Sequence, residues 1–138
     1  MKLQKLELFV DGASRGNPGP AGLGVVIKDE HKKTVREFYK YLGTATNNIA
    51  EYSALVYGLQ EALMLGAEDI TLHMDSELVV RQLKGEFRVR DANLKKFFDQ
   101  AIHLIGGLKR CEIVHIKREF NKEADRLANK ALNLAELK

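Results

Sequence analysis

Four acids in this chain stand where a carboxylate can do chemistry: Asp11, Glu51, Asp75 and Asp125. Asp11 closes an apolar run (Leu6, Leu8, Phe9, Val10), and Asp75 follows another, from Ile70 to Met74. A carboxylate at a strand end is held by the sheet yet faces open space. Glu51 falls within a helical apolar stripe with Leu55, Gly58, Leu59 and Ala62, and Asp125 lies in the first turn of the last helical stretch, beside its stripe. An unpaired carboxylate in such surroundings is costly and tends to keep a proton. Each acid also has an ordinary explanation. Asn48-x-x-Glu51 has capping-box spacing, Asp125 can complement a helix dipole, and Asp75 can precede a capped helix. Convergence would outweigh these. Two carboxylates about 4 Å apart repel by about 4 kcal/mol at an effective dielectric near 20, so a cluster needs cations. Oxygen ligands select hard divalent ions, Mg²⁺ or Mn²⁺, and no His/Cys cluster with zinc spacing competes. Two such ions sharing carboxylates suit phosphodiester hydrolysis: one activates water, the other stabilises the leaving 3′ oxygen.

The elements that must position these acids read as follows. Residues 3–11, 22–29 and 34–42 alternate as strands, and short connections make them an antiparallel meander. From Thr46 to Gly66 the period becomes helical, with Ala54, Leu55, Gly58, Leu59, Ala62 and Leu65 on one stripe. Ile70–Met74 is a short strand, Ser76 caps a helix to about Leu83, and Gly85 breaks it. Asn93–Ile105 is helical, Cys111–Ile116 is a strand, and Asn121–Leu137 is a helix packing through Ala124, Leu127, Ala128, Ala131 and Ala135. Later strands alternating with helices favour parallel crossovers onto the first strand. The expectation is an α/β fold: a five-stranded mixed sheet, three antiparallel strands then two parallel, with helices on both faces. Asp11 and Asp75 then share one end of the sheet.

The stretch after Asp11, G-A-S-R-G-N-P-G-P-A-G, reads as a long hairpin loop with Asn17-Pro18 turn chemistry. Gly12 and Gly16 are expected to leave main-chain N–H groups bare, open to another backbone. The bland alternative is a hairpin that needs glycines and happens to carry an acid.

A length of 138 residues suits one domain spanning 1–138, able to bury roughly two thirds of its unfolded surface. The 45% hydrophobic and 30% charged fractions are those of an ordinary globular protein. A single cysteine, Cys111, excludes an intrachain disulfide and suits a reducing compartment. No apolar stretch reaches membrane-spanning length and no secretory pattern opens the chain, so no membrane partner and a cytoplasmic location are expected. The net charge of +3 gathers in clusters: Arg81, Lys84, Arg88, Arg90, Lys95 and Lys96, then Lys109, Arg110, Lys117, Arg118 and Lys122. Basic clusters beside an acidic site suit a polyanion held near a metal; the alternative is a solvated helix face.

The motifs D-G-A-S-R-G-N-P-G-P-A-G, T-N-N-I-A-E-Y from Thr46, M-D-S-E from Met74 and N-K-E-A-D-R-L-A from Asn121 resemble, in order, those of the ribonuclease H type 1 family. The resemblance implies the ribonuclease H fold and Mg²⁺-dependent endonucleolytic cleavage of RNA in RNA–DNA hybrids, with Mn²⁺ as an alternative and two ions per site. It implies 5′-phosphate and 3′-hydroxyl products. Carried over by position, Asp11, Glu51, Asp75 and Asp125 are the catalytic, metal-binding acids. Gly12, Ser14, Gly16 and Asn17 meet the RNA strand; Thr46 and Asn48 hold a phosphate of the DNA strand, with Asn47 nearby. Such contacts can read the 2′-hydroxyls of RNA without reading bases, while Lys and Arg set affinity.

The chain departs from many family members. Gly85 to Asn93 is short where they carry a basic, Trp-rich protrusion, and this chain has no Trp. Glu77 stands where they place an amide. Only Ile116 to Phe120 precedes Asn121, without their loop His. It resembles a short subgroup. Near that missing His, Arg118 is expected to hold a phosphate, because guanidinium stays protonated but binds phosphate bidentately; His115 lies in the last strand with its ring direction set by the pleat. The main expectation is a monomeric hydrolase acting on hybrids. Alternatives are a broader nuclease that also cuts double-stranded RNA, a non-catalytic hybrid-binding module, which retention of all the acids opposes, and a domain excised from a reverse transcriptase, which the Met1 start and absence of a linker oppose.

Overall fold

The computed structural model describes residues 4–137. Strands β1 (Lys5–Ser14), β2 (Gly19–Asp29) and β3 (Thr34–Ala45) form the antiparallel meander. Helix α1 (Asn47–Met64) leads to β4 (Asp69–Met74), then α2 (Glu77–Leu83), α3 (Ala92–Gly106), β5 (Arg110–His115), a 3-10 turn at Arg118–Phe120, and α4 (Lys122–Glu136). The sheet order is β3-β2-β1-β4-β5, with β4 parallel to both β1 and β5. The mixed five-stranded sheet is the one expected.

Alternation within the strands sorts the core. Leu6, Leu8 and Val10 of β1 and Leu23, Val25 and Ile27 of β2 face α1, where Leu55, Leu59 and Ala62 meet them. Each such fully buried side chain stabilises the fold by about 1.5–3 kcal/mol. On the opposite face Val26 packs with Ala124 and Leu127 of α4, against Phe9. The sheet thus carries α1 on one face and α4 on the other.

Three expectations are corrected. β1 does not end at Asp11: it continues to Ser14, because Gly12, Ala13 and Ser14 stay paired with Leu23, Gly22 and Ala21 of β2. The expected long loop is therefore the short turn between Ser14 and Gly19. What ends near Asp11 is the other ladder, since the last parallel pair of β1 with β4 is Phe9↔His73. Asp11 lies just past the point where the two parallel strands part, and Asp75 follows the last residue of β4. The capping box is corrected too. The N-cap of α1 is Thr46, whose hydroxyl accepts from the Ile49 N–H at 3.2 Å. Glu51, expected three positions after a cap at Asn48, lies more than a turn beyond the actual cap, and its carboxylate is employed elsewhere. The third correction, the state of the Gly12 N–H, belongs to the site.

Candidate active site

Two glycines let helices carry acids onto the sheet end. A Cβ on Gly12 would stand 2.2 Å from the carbonyl carbon of Ala50, so only glycine lets the first turns of α1 lie against β1. The Gly12 N–H is consequently not bare. It is buried and donates to Glu51 Oε1 at 2.6 Å. On the other face, a Cβ on Gly24 would stand 2.1 Å from the Ala124 carbonyl oxygen, so glycine there lets α4 touch β2. Gly24 is also the pairing partner of Asp11. The acid is flanked by two of the positions at which helix backbone meets sheet backbone.

Asp11 (4% exposed), Glu51 (5% exposed) and half-buried Asp75 bring carboxylate oxygens within 4.8 Å of one another. Burial first, then the charges of Glu51 and Asp75, raise the Asp11 carboxyl well above the usual carboxylate range. Burial likewise raises Glu51, opposed by hydrogen bonds to Asp11 and the Gly12 N–H. Burial and mutual repulsion therefore disfavour a full charge on both carboxyls when no cation is bound. Oxygen-only donors, buried and mutually repelling, fit a hard divalent cation.

Asp125 stands outside this tight group. It is half-buried on α4, it adds to the raising of the Asp11 carboxyl, and its Oδ1 lies 3.3 Å from Asn129 Nδ2 and 3.7 Å from an Arg118 guanidinium nitrogen. A groove of about 240 Å³ is lined by Asp11, Gly12, Ser14, Arg15, Asn47, Glu51, Asp75, Arg118 and Asn129, among others. Arg118 therefore reaches the acids, with its side chain 79% exposed. His115, at the exposed end of β5, sets Nε2 3.3 Å from the Asp75 carbonyl oxygen.

The expected substrate contacts gather at the start of α1. Asn17 Oδ1 accepts from the Asn47 N–H at 3.0 Å, and Asn47 Oδ1 accepts from the Ser14 N–H at 3.2 Å. The Ser14 hydroxyl donates to Ala45 O at 2.8 Å and also contacts Gly16 O. Gly16 has φ +120°, a backbone that L side chains rarely adopt. Thr46 and Asn48 are half-buried at the helix entrance. The turn and helix start form one bonded unit rather than a free loop.

Sequence reasoning gave no individual role to Asn121, Asn129 and Arg15. Asn121 is buried and donates to Asp75 Oδ2 at 3.0 Å. Arg15 ties the turn to α4 through Asn133 at 2.7 Å and Glu136 at 2.5 Å. A signal was present: Asn121, Asp125, Asn129 and Asn133 recur every four residues, a polar ridge beside the apolar stripe of α4.

Comparison with known proteins places this geometry. The family model described as "Reverse transcriptase-like" matches residues 9–131. The chain is 42% identical over 132 residues to the bifunctional protein Rv2228c of Mycobacterium tuberculosis, covering 95% of this chain but only 36% of that protein, so it spans about a third of that relative's length. The crystal structure of RNase H1 from the halophilic archaeon Halobacterium salinarum superposes with TM-score 0.91 at 42% identity, covering 94% of this chain and 98% of that one. LC11-RNase H1, solved in complex with an RNA/DNA hybrid, gives TM-score 0.89 at 41% identity, covering 94% of this chain and 98% of that one. The ordered motifs, the sheet that seats their acids at one end and these matches carry one conclusion: the chain belongs to the reverse transcriptase-like family, as a short ribonuclease H domain of type 1.

Proposed function

We propose that this chain is a divalent-metal-dependent endoribonuclease that hydrolyses the RNA strand of RNA–DNA hybrids, leaving 5′-phosphate and 3′-hydroxyl ends. The observation that carries the reading is the meeting of Asp11, Glu51 and Asp75 within 4.8 Å in a groove that also contains Arg118. The hybrid is proposed as substrate because the relative LC11-RNase H1, 41% identical, is solved with one.

Asp11, Glu51, Asp75 and Asp125 are the proposed holders of two Mg²⁺ ions, with Mn²⁺ able to replace them. Such ions, when bound, supply an activated water and stabilise the leaving 3′ oxygen. Burial of Asp11 and Glu51 removes competing water from their oxygens and fixes their direction, while half-exposed Asp75 and Asp125 border the groove. Arg118 is proposed to grip a substrate or product phosphate; its guanidinium remains charged and cannot act as the base. Ser14, Gly16 and Asn17 are proposed to border the RNA strand, and Thr46, Asn47 and Asn48 the DNA strand. The Thr46 hydroxyl accepts from Ile49 and still has a proton to donate to a phosphate. Gly12 contributes by admitting α1 and holding Glu51, not by offering its N–H to substrate.

The test is cleavage of end-labelled matched hybrid, RNA duplex and DNA duplex with Mg²⁺ and with EDTA. Mg²⁺-dependent cuts confined to the RNA of the hybrid are expected. Equal cleavage of the RNA duplex would refute the stated selectivity, and binding of hybrid without cleavage would refute the enzyme.

A further inference from the structure

Asn121 is 1% exposed. Its Nδ2 donates twice, to the Val10 carbonyl oxygen at 2.9 Å and to Asp75 Oδ2 at 3.0 Å. Both targets are oxygens, so the amide has one workable orientation: its NH₂ group must face them. Its Oδ1 is buried with no hydrogen-bond partner among the described residues. The donor end is what the position demands.

The three links of Asn121 lead to three different acids. Val10 is the residue before Asp11. Asp75 is held directly through Oδ2. The main-chain oxygen of Asn121 accepts from the Asp125 N–H at 3.1 Å, the contact that opens α4. Asn121 therefore ties the end of the β1–β4 ladder, the acid following β4, and the helix bearing the remaining acid. Asp75 has no helix of its own to fix its carboxylate, unlike Glu51, and no strand partner at its position in the β1–β4 register. A bond to one oxygen restricts rotation of the group and leaves the other oxygen for a cation.

We infer that Asn121 is a positioning residue for the acid cluster: its amide sets the rotation of Asp75 and the seat of α4 so that Asp11, Asp75 and Asp125 converge in the geometry a divalent cation requires. The inference rests on the metal-dependent reading above. Outer partners of ligating groups typically contribute about 10- to 100-fold in metal affinity.

The test compares the wild-type chain with Asn121→Ala and Asn121→Ser. Serine keeps the preference of this position for a helix N-cap but is too short to reach both oxygens. Circular dichroism reports folding, calorimetric titration with Mn²⁺ in the absence of nucleic acid reports the cation site, and hybrid cleavage is followed in single-turnover mode across Mg²⁺ concentrations. Expected are a fall of about tenfold or more in Mn²⁺ affinity and a parallel rise in half-saturating Mg²⁺. Metal-free hybrid binding should stay unchanged. A folded variant of either kind that binds Mn²⁺ and cleaves like wild type overturns the inference. If the alanine variant fails to fold, the serine variant decides by the same criterion. A wild-type chain that binds Mn²⁺ but leaves hybrid intact sinks the proposed activity, while the calorimetric comparison still judges Asn121.

Discussion

Asp75→Asn should raise the stability of the metal-free protein while abolishing cleavage. The amide keeps the size of the carboxylate and an oxygen able to accept from Asn121, so the contact at 3.0 Å survives. What disappears is a negative charge whose ligand oxygen lies within 4.8 Å of those of Asp11 and Glu51. At an effective dielectric near 20, one like-charge pair at that distance repels by about 3.5 kcal/mol. One such pair is counted, because burial and mutual repulsion disfavour a full charge on both Asp11 and Glu51. Partial exposure of Asp75 reduces the gain to about 1–3 kcal/mol, or roughly 3–10 °C in Tm for a chain of this size. Thermal unfolding in EDTA measures it, and the same experiment in Mg²⁺ supplies the control. Wild type should gain stability from Mg²⁺ because the ion binds only the folded state; the variant should gain little. A variant less stable than wild type in EDTA, yet stabilised equally by Mg²⁺, would refute the idea that these acids repel one another and await a cation.

Further outcomes follow from the same geometry. Asp11 has a raised folded-state pKa, so unfolding releases its proton and metal-free stability falls as pH rises above about 4 towards that folded value. Glu7 and Asp29 have lowered carboxyls and oppose this only as pH falls below about 4.5. Urea midpoints in EDTA should therefore decline from pH 5 to pH 8, and Asp11→Asn should flatten the decline. Gly24→Ala should destabilise by about 1–3 kcal/mol or more and cut turnover, since its Cβ would press on the Ala124 carbonyl and lift α4; urea unfolding and cleavage rates check both effects. Arg118→Ala should lower the single-turnover or product-release rate by about tenfold, or about 1.4 kcal/mol, without abolishing cleavage. Lys84, Arg88 and Arg90 are exposed and form no ion pair among the described residues. Replacing all three by Ala should reduce the slope of log affinity for hybrid against log salt from about −2 to −4 towards zero; an unchanged slope would make them a solvated face.

The fold was legible where period and punctuation agreed. The stripe from Ala54 to Ala62, the stop at Gly66 and the helix packing through Ala124, Leu127 and Ala128 all stand as the sequence indicates. Misread were positions where a tertiary neighbour supplies what local rules assign to something else. Gly12, Ala13 and Ser14 look like a loop because glycine and serine punctuate chains, yet β2 pairs with each of them and keeps them extended. Glu51 matches a capping box by spacing, but Thr46 already caps the helix, and the Gly12 N–H is the donor that claims the carboxylate. No local pattern contains the fact that β1 outruns its parallel ladder by several residues, which is what opens the space at Asp11.

The candidate site shows a related division. Acids are conspicuous in sequence because each violates a pattern: Glu51 interrupts an apolar stripe, and Asp11 and Asp75 end apolar runs. Asn121 and Asn129 violate nothing, since asparagine is ordinary at a helix start and on a polar face. Their importance appears only when α4 is laid against the sheet. Then Asn121 reaches Val10 and Asp75, and Asn129 reaches Asp125. Glycines are equally silent in sequence about which helix they admit. Gly12 could serve a turn, but a Cβ 2.2 Å from Ala50 makes it the contact that lowers α1 onto β1. Gly24 does the same for α4 through Ala124. The acids that repel one another are thus brought together by groups without charge: missing side chains at Gly12 and Gly24 admit the helices, and one buried amide ties α4 to the end of β1 and to Asp75.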